Sequence, residues 1–336
     1  MQNIIRNKTI LTGDRPTGPL HIGHLAGSLL NRVRLQEHNE QTVLIANTQA
    51  LTDNIRRPDK VRENVTQLML DYLAVGLDPD KTRFVLQSGV PELYELTAIY
   101  MNLVNMGRLT RNPTIRNEIE QRGFGGNVPV GFLCYPISQA ADITAFNADL
   151  VPAGKDQSPL IQQCNDIVRT VNDIAKAPVL RTADILTSDT PSLIGTDGLG
   201  KMSKSAGNAI FLSDGPDEIR RKVMGAFTDP EHIRISDRGN TKDNPVFQML
   251  SAFDEDVDGL GELRDRYEEG GERGVGDVFM KRRLNDVLQE VIGPIRSRRE
   301  AFAEDIGEIM HIMRCGTENG RSKAIKTVEK LRKLFF

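Results

Sequence analysis

Hydrophobic positions along this chain switch between two periods. Ile10-Leu11-Thr12 is a short apolar run that reads as the end of a buried strand, and Gly13, Pro16, Gly18 and Pro19 force a turn after it. From 20 to 37 the spacing becomes helical, with Leu25, Leu29, Leu30, Val33 and Leu35 recurring. The same reading predicts a strand over 42–46 and a helix over 60–76 that carries Val61, Val65, Leu68, Met69 and Tyr72 on one face. A third strand follows over 83–87, then an apolar helix over 91–107, and later strands or strand ends at 150–152 and 179–182. From Asp214 onward the text is helical and charged, with helices over 216–224, 244–253, 278–292, 295–312 and 322–334. Residues 254–276, rich in glycine and acids, predict a short helix between loops. Strands alternating with helices predict an α/β fold with a doubly wound parallel sheet, followed by a C-terminal helical domain. Ligands of such sheets bind at the carboxyl ends of the strands, where the Gly13 turn and the Gly154 segment fall.

Composition narrows this picture. A length of 336 residues suggests about two domains, and 39% hydrophobic residues suffice for a full core. Cys134, Cys164 and Cys315 form no C-x-x-C and fit a reducing, cytoplasmic setting. Met1 stands directly before a strand with no basic-then-apolar leader, and no apolar run is long enough to span a membrane. Neither a G-x-G-x-x-G fingerprint nor a Walker loop occurs.

Two segments carry the chemistry. His21-Ile22-Gly23-His24 follows the strand and turn, at a helix N-terminus whose free N–H groups and dipole suit an anion. Two histidines three apart share a helical face, Gly23 leaves room for a flat base, and no partner has metal-ligand spacing to them. A surface helix with two unrelated histidines is the plainer alternative. The second segment is Lys201-Met202-Ser203-Lys204-Ser205, between Gly200 and Gly207. Lysines beside small hydroxyl residues on a glycine-hinged loop bind phosphate, and stabilise charge as it develops; alone, they would also fit a solvated basic loop. A third stretch, 135–143, reads as a helix mouth with Pro136 in the first turn. Tyr135, Gln139 and Asp142 then line one face, with Ala140 and Ala141 leaving space beside it.

Taken in order, these pieces resemble the HIGH and KMSKS motifs of class I aminoacyl-tRNA synthetases. The stretches 11–18, 135–143 and 151–157 resemble the tryptophanyl/tyrosyl subgroup, nearer its tryptophanyl branch. The resemblance implies a Rossmann-like, HUP-type nucleotide-binding sheet and ATP with Mg²⁺ as the energy source. It implies an ATP site of Arg15, Pro16, Thr17, Gly23, His24, Gly154, Lys155, Asp156, Leu193, Lys201, Met202, Ser203, Lys204 and Ser205, in which His21, His24, Lys201 and Lys204 are catalytic and no metal is held by the protein. It implies an amino-acid site of Leu11, Gln49, Tyr135, Gln139, Asp142 and Gln157, with Asp142 accepting the indole N–H of L-tryptophan. No protein nucleophile is needed, which agrees with the lack of any Ser/His/Asp arrangement.

This chain departs from the common tryptophanyl pattern in ways that suggest a divergent second form. It keeps both histidines where Thr and Asn are frequent, and has Gln139, Gln49 and Leu11 in place of Met, His and Phe. Gln139 beside Tyr135 and Asp142 also resembles the archaeal tyrosyl pocket, so tyrosine stays open as the alternative substrate. The implied partners are tRNA, with tRNA(Trp) first, and a second copy of the chain through 91–107. The expected division is a catalytic domain over 1–195, the lysine loop over 196–210, a helical anticodon-binding domain over 211–300, and C-terminal helices over 301–336 that pack back on the catalytic domain. A net charge of −3 requires any RNA to be met by a local basic face, for which Lys281, Arg282, Arg283, Arg296, Arg298 and Arg299 are the candidates. A small-molecule nucleotidyltransferase and a silent RNA-binding or regulatory paralogue are the rival readings.

Overall fold

The computed structural model describes residues 5–187 and 192–336, so the placement of Met1 lies outside the described residues. Strand β1 (Thr9–Asp14) leads through the Gly/Pro turn into helix α1, which starts as an α-turn at Ile22–His24, widens to a π-helix over Leu25–Leu29 and returns to α over Leu30–Leu35. Then come β2 (Glu40–Ile45), α2 (Asn47–Asn54), α3 (Pro58–Val75), β3 (Thr82–Leu86) and α4 (Glu92–Met101). Helices α5 (Met106–Arg111), α6 (Pro113–Arg122) and α7 (Val130–Ala145) precede β4 (Leu150–Pro152), α8 (Ser158–Ala175) and β5 (Asp184–Leu186). The remainder is helical: α9 (Pro216–Met224), α10 (Pro245–Phe253), α11 (Val257–Glu269), α12 (Asp277–Ala303) and α13 (Ile306–Phe335).

The strands form one parallel sheet in the order β3-β2-β1-β4-β5, with Gly13 beside Leu44 and Ile10 beside Leu150. The order reverses between β1 and β4, which is where a doubly wound sheet opens its crevice. Alternation along the strands feeds two cores. Val43, Ile45 and Phe84 pack with α1, α3 and the C-terminal helices, whereas Leu11, Leu44 and Val85 pack with α4, α7, α8 and the far half of α13. Among the described residues no helix is long and apolar enough to cross a membrane.

Helix α13 closes the β3 edge of the sheet. Gly316 lies so near β3 that a Cβ there would stand 2.2 Å from the Phe84 carbonyl oxygen, and the Thr317 hydroxyl accepts from Leu86 N at 2.9 Å. A side chain thus occupies a backbone group that an edge strand leaves unpaired. Gly316→Ala is expected to destabilise the fold by roughly 1–3 kcal/mol, because backbone rather than a flexible side chain must move. Gly293→Ala, at a helical position with nothing within 4 Å of its Cβ, should stabilise by up to about 1 kcal/mol in thermal melts and gives the helix-propensity baseline for the comparison.

Several boundaries differ from the sequence reading. The helix expected over 91–107 ends at Met101, because Asn105 starts a new one by accepting from Arg108 N at 2.9 Å. Residues 179–182 are not a strand: Asn172 Oδ1 accepts from both Val179 N and Leu180 N at 2.9 Å, tying them to the end of α8. Pro294 does not separate two helices, since Ile292 and Ile295 are buried on either side of it; the break comes at Asp305, which caps α13 through Glu308 N. Pro136 stands inside α7 rather than at its mouth, because that helix already begins at Val130.

Candidate functional site

The two motifs meet at the crevice. His21 is the N-cap of α1, with its Nδ1 accepting from Gly23 N at 3.1 Å, and His24 Nδ1 accepts from His21 N at 3.2 Å. These reciprocal caps satisfy free N–H groups of the first turn and bring the ring centroids 3.8 Å apart, tilted by 50°. They also fix the tautomer: each ring carries its proton on Nε2, which has no protein acceptor among the described residues. Burial pulls the His21 imidazole down to about 2, helped by the charges of His24, Lys204 and Lys201. His24 falls to about 4, again through burial, although the Asp14 carboxylate opposes the fall. Both are neutral donors at physiological pH.

A Cβ on Gly23 would lie 2.9 Å from the His21 ring and 3.7 Å from Met202 Sδ, so the glycine is needed for the cap itself. Behind the turn, Asp14 at the end of β1 holds buried Arg32 (2.7 Å) and the Tyr72 hydroxyl (2.7 Å), which keeps the carboxyl well below its ordinary range despite burial. This ion pair ties the strand end to α1 and sets the angle at which the histidines enter the crevice.

The lysine loop is hung on the same helix. Ile22 N donates to Ile210 O at 3.0 Å and Leu212 N to Leu20 O at 3.0 Å, joining the exit of the loop to the histidine turn. Its own hairpin is closed by Met202 N to Leu193 O (2.9 Å), and its tip is held by Asn208, which accepts from Ser203 N and donates to Asp197. Met202 is buried with Leu20, Ile22 and Leu25. Lys204 reaches back so that its Nζ donates to Gly18 O at 2.6 Å, and burial draws its ammonium down to about 8. Lys201 and Ser205 stay exposed, and Ser203 Oγ lies 3.2 Å from Ser205 Oγ. Arg15 points to Asp53 (3.5 Å), which is also paired with Arg122; Pro16 is buried and Thr17 half-buried.

The second pocket lies where α7 faces β1 and α2. Asp142 is buried, and burial raises its carboxyl to about 7. Gln49 Nε2 donates to its Oδ2 at 2.9 Å, and Gln87 Nε2 to its two oxygens at 3.1 and 3.0 Å. Gln87 was not found in the sequence: it is 55 positions from Asp142 at the end of β3, with no spacing that marks it. The Tyr135 hydroxyl is buried without a hydrogen-bond partner, and burial together with the neighbouring Glu118 carboxylate pushes its pKa up. Glu118, on α6, is a second residue that sequence reasoning missed. Leu11 is buried against this helix, while Gln139 is half-buried and its side chain makes no hydrogen bond among the described residues. At the mouth, Gly154, Lys155 and Asp156 are exposed; the Thr114 hydroxyl donates to Asp156 O at 2.6 Å, and Gln157 Nε2 turns to Asp156 Oδ2 at 2.8 Å.

The basic face expected on α12 is consumed internally. Buried Lys281 donates to Ala226 O and the Thr228 hydroxyl at 2.6 Å, Arg283 pairs with Asp254 (2.6 Å), and Arg296 donates to Asp214 O (3.1 Å). Arg298 donates to Ala74 O (2.6 Å) and Arg299 pairs with buried Asp71 (2.8 Å), so these side chains anchor the helical part to α3. Only Arg282 of that group is exposed and unpaired among the described residues.

The N–H groups expected to be free at the helix mouth are instead taken by the two imidazoles and by Ile210 O, so the site joins two neutral imidazole donors, a lysine loop and a buried carboxylate along one crevice. Comparison with known proteins agrees. Residues 5–293 match the family model described as tRNA synthetases class I (W and Y). The tryptophan–tRNA ligase of Clostridium longisporum is 50% identical, covering 96% of this chain and 95% of its own, and that of Streptococcus pneumoniae is 48% identical with 96% of each covered. Among solved structures, the tryptophanyl-tRNA synthetase of Campylobacter jejuni, complexed with ADP and tryptophan, superposes with a TM-score of 0.82 at 29% identity, covering 97% of this chain and 98% of that one. The chain belongs to the class I aminoacyl-tRNA synthetases of the tryptophan and tyrosine family.

Proposed function

We propose that the chain activates L-tryptophan with ATP to tryptophanyl-adenylate, releasing pyrophosphate, and then transfers the acyl group to the 3′ end of tRNA(Trp). The observation that carries this reading is the Lys204 Nζ bond to Gly18 O, which sets the lysine loop against the histidine turn. A triphosphate in the crevice would lie between those cations and the two imidazole Nε2–H donors. The tryptophan carboxylate attacks the α-phosphorus in line, forming the new P–O bond as the bond to the β-phosphate oxygen breaks. Neutral imidazoles donate to the charge building on the α-phosphate, and the lysines stabilise the departing pyrophosphate. Magnesium enters this reading as part of the ATP substrate, carried by its phosphates.

Asp142, oriented by Gln49 and Gln87, accepts the indole N–H, and the Tyr135 hydroxyl, buried without a partner, faces the α-amino end with Gln139 and Gln157. Tyrosine is disfavoured by Leu11, which offers its phenol no polar partner from β1. Residues 1–195 act as the catalytic domain, 196–210 as the lysine loop, 211–300 as the anticodon-facing helices, and 301–336 as a brace. A homodimer through α4 and α5 is supported by exposed Tyr94, Met101 and Met106 on that surface, and a cytosolic setting by the three free cysteines. Amino-acid-dependent exchange of pyrophosphate into ATP tests the reading. Exchange is expected with tryptophan and not with tyrosine; exchange with neither would leave a silent paralogue or a different nucleotidyltransferase.

A further inference from the structure

The helical part keeps most of its arginines for itself, so unpaired cations near the site must be sought elsewhere. Two of them, Arg56 and Arg57, are exposed between α2 and α3, and neither makes an ion pair among the described residues. They line a cleft of about 370 Å³ together with Asp53, exposed Ile55 and half-buried Phe124. The glycine-rich turn 123–126 brings Phe124 there, with Gly123 and Gly125 both at positive φ.

This cleft is joined to the amino-acid pocket on one side and to the ATP-side turn on the other. Phe124 stands edge-on to Phe132 at 4.9 Å, and Phe132 edge-on to Tyr135 at 5.5 Å, so an aromatic row runs from the cleft to the pocket wall. Asp53 in the cleft is the shared partner of Arg122 and of Arg15 from the ATP-side turn. An aromatic side chain that shares a cleft with two arginines suits a single-stranded polynucleotide, whose bases stack while its phosphates meet the guanidinium groups. A lone inorganic anion would use the arginines but not the aromatic and aliphatic lining.

We propose that this cleft between α2, α3 and the 123–126 turn seats the unpaired 3′-terminal nucleotides of tRNA during acyl transfer. The proposal rests on the synthetase reading above. It has a separate signature, because adenylate formation precedes any need for RNA. In Arg56→Ala/Arg57→Ala and in Phe124→Ala, tryptophan-dependent pyrophosphate exchange is expected to stay within about twofold of the unsubstituted chain. Charging of tRNA(Trp) is expected to fall about tenfold or more in kcat/KM for the RNA, the scale of one lost stacking contact. The double arginine variant should also show a shallower salt dependence of charging, and Phe124→Trp should restore most of what Phe124→Ala loses. Charging that is unchanged in both variants overturns the proposal, as does exchange that falls in step with charging. Absence of exchange in the unsubstituted chain is a different result, and it defeats the adenylation reading first.

Discussion

Lys204→Ala is expected to lower tryptophan-dependent pyrophosphate exchange by about 10²–10³-fold, the usual loss when one donor aimed at developing charge is removed. The loss should fall mainly on kcat. Lys204 is half-buried and donates to Gly18 O, so its charge is partly desolvated and positioned, and its attraction for the phosphates grows as pyrophosphate separates. Its ammonium, drawn down to about 8, loses its proton as pH rises through that value. The alkaline fall in kcat/KM for ATP near that pH should accordingly be present in the unsubstituted chain and absent from the variant. An alanine variant with an unchanged rate would remove the lysine loop from the chemistry.

Asp142→Ala should lower kcat/KM for tryptophan by about 10³-fold, with little change in the KM for ATP. The substitution leaves the indole N–H and the amides of Gln49 and Gln87 all seeking an acceptor in a buried pocket, each at a cost of about 1–3 kcal/mol. Asp142→Asn should do nearly as badly, since its amide would turn donors toward donors. A carboxyl raised to about 7 by burial is protonated below that pH, and the three surrounding donors favour the ionised form. Tryptophan binding should therefore weaken as pH falls from about 8 to about 6 and take up of the amino acid should release a proton, measured by titration calorimetry in buffers of different ionisation enthalpy. An unaltered tryptophan affinity in Asp142→Ala would leave indole recognition to another residue.

How far these roles were legible in the sequence depended on whether their signals were local. The histidine turn and the lysine loop each carry their own glycines, spacing and charge, so both could be read, and the strand and helix periods were enough for the parallel sheet. What the text lacked was pairing across the fold. Gln87 has no local mark, because its purpose is set by a carboxylate on α7. Arg299 and Arg283 read as an RNA-facing stripe because their partners come from elsewhere in the fold, Asp71 from α3 and Asp254 from the residue just past α10. Pro136 suggested a helix start by its local preference, yet the helix had begun at Val130, and buried Ile137, Ala140 and Ala141 hold it in the core. Asn172 hid the end of α8 in the same way, with a side chain doing what a strand neighbour was expected to do.

Helix α13 is made after every strand it covers, yet Thr317 caps β3 at Leu86, beside the Gln87 that donates to Asp142. During synthesis the nascent sheet must wait with that edge unsealed, since folding proceeds from the leading end of the chain. Both halves of the crevice would then be completed last, because Ile309 and Met313 of the same helix pack in the core that holds Ile22 and Met202, so a prematurely terminated product would leave neither half fully supported.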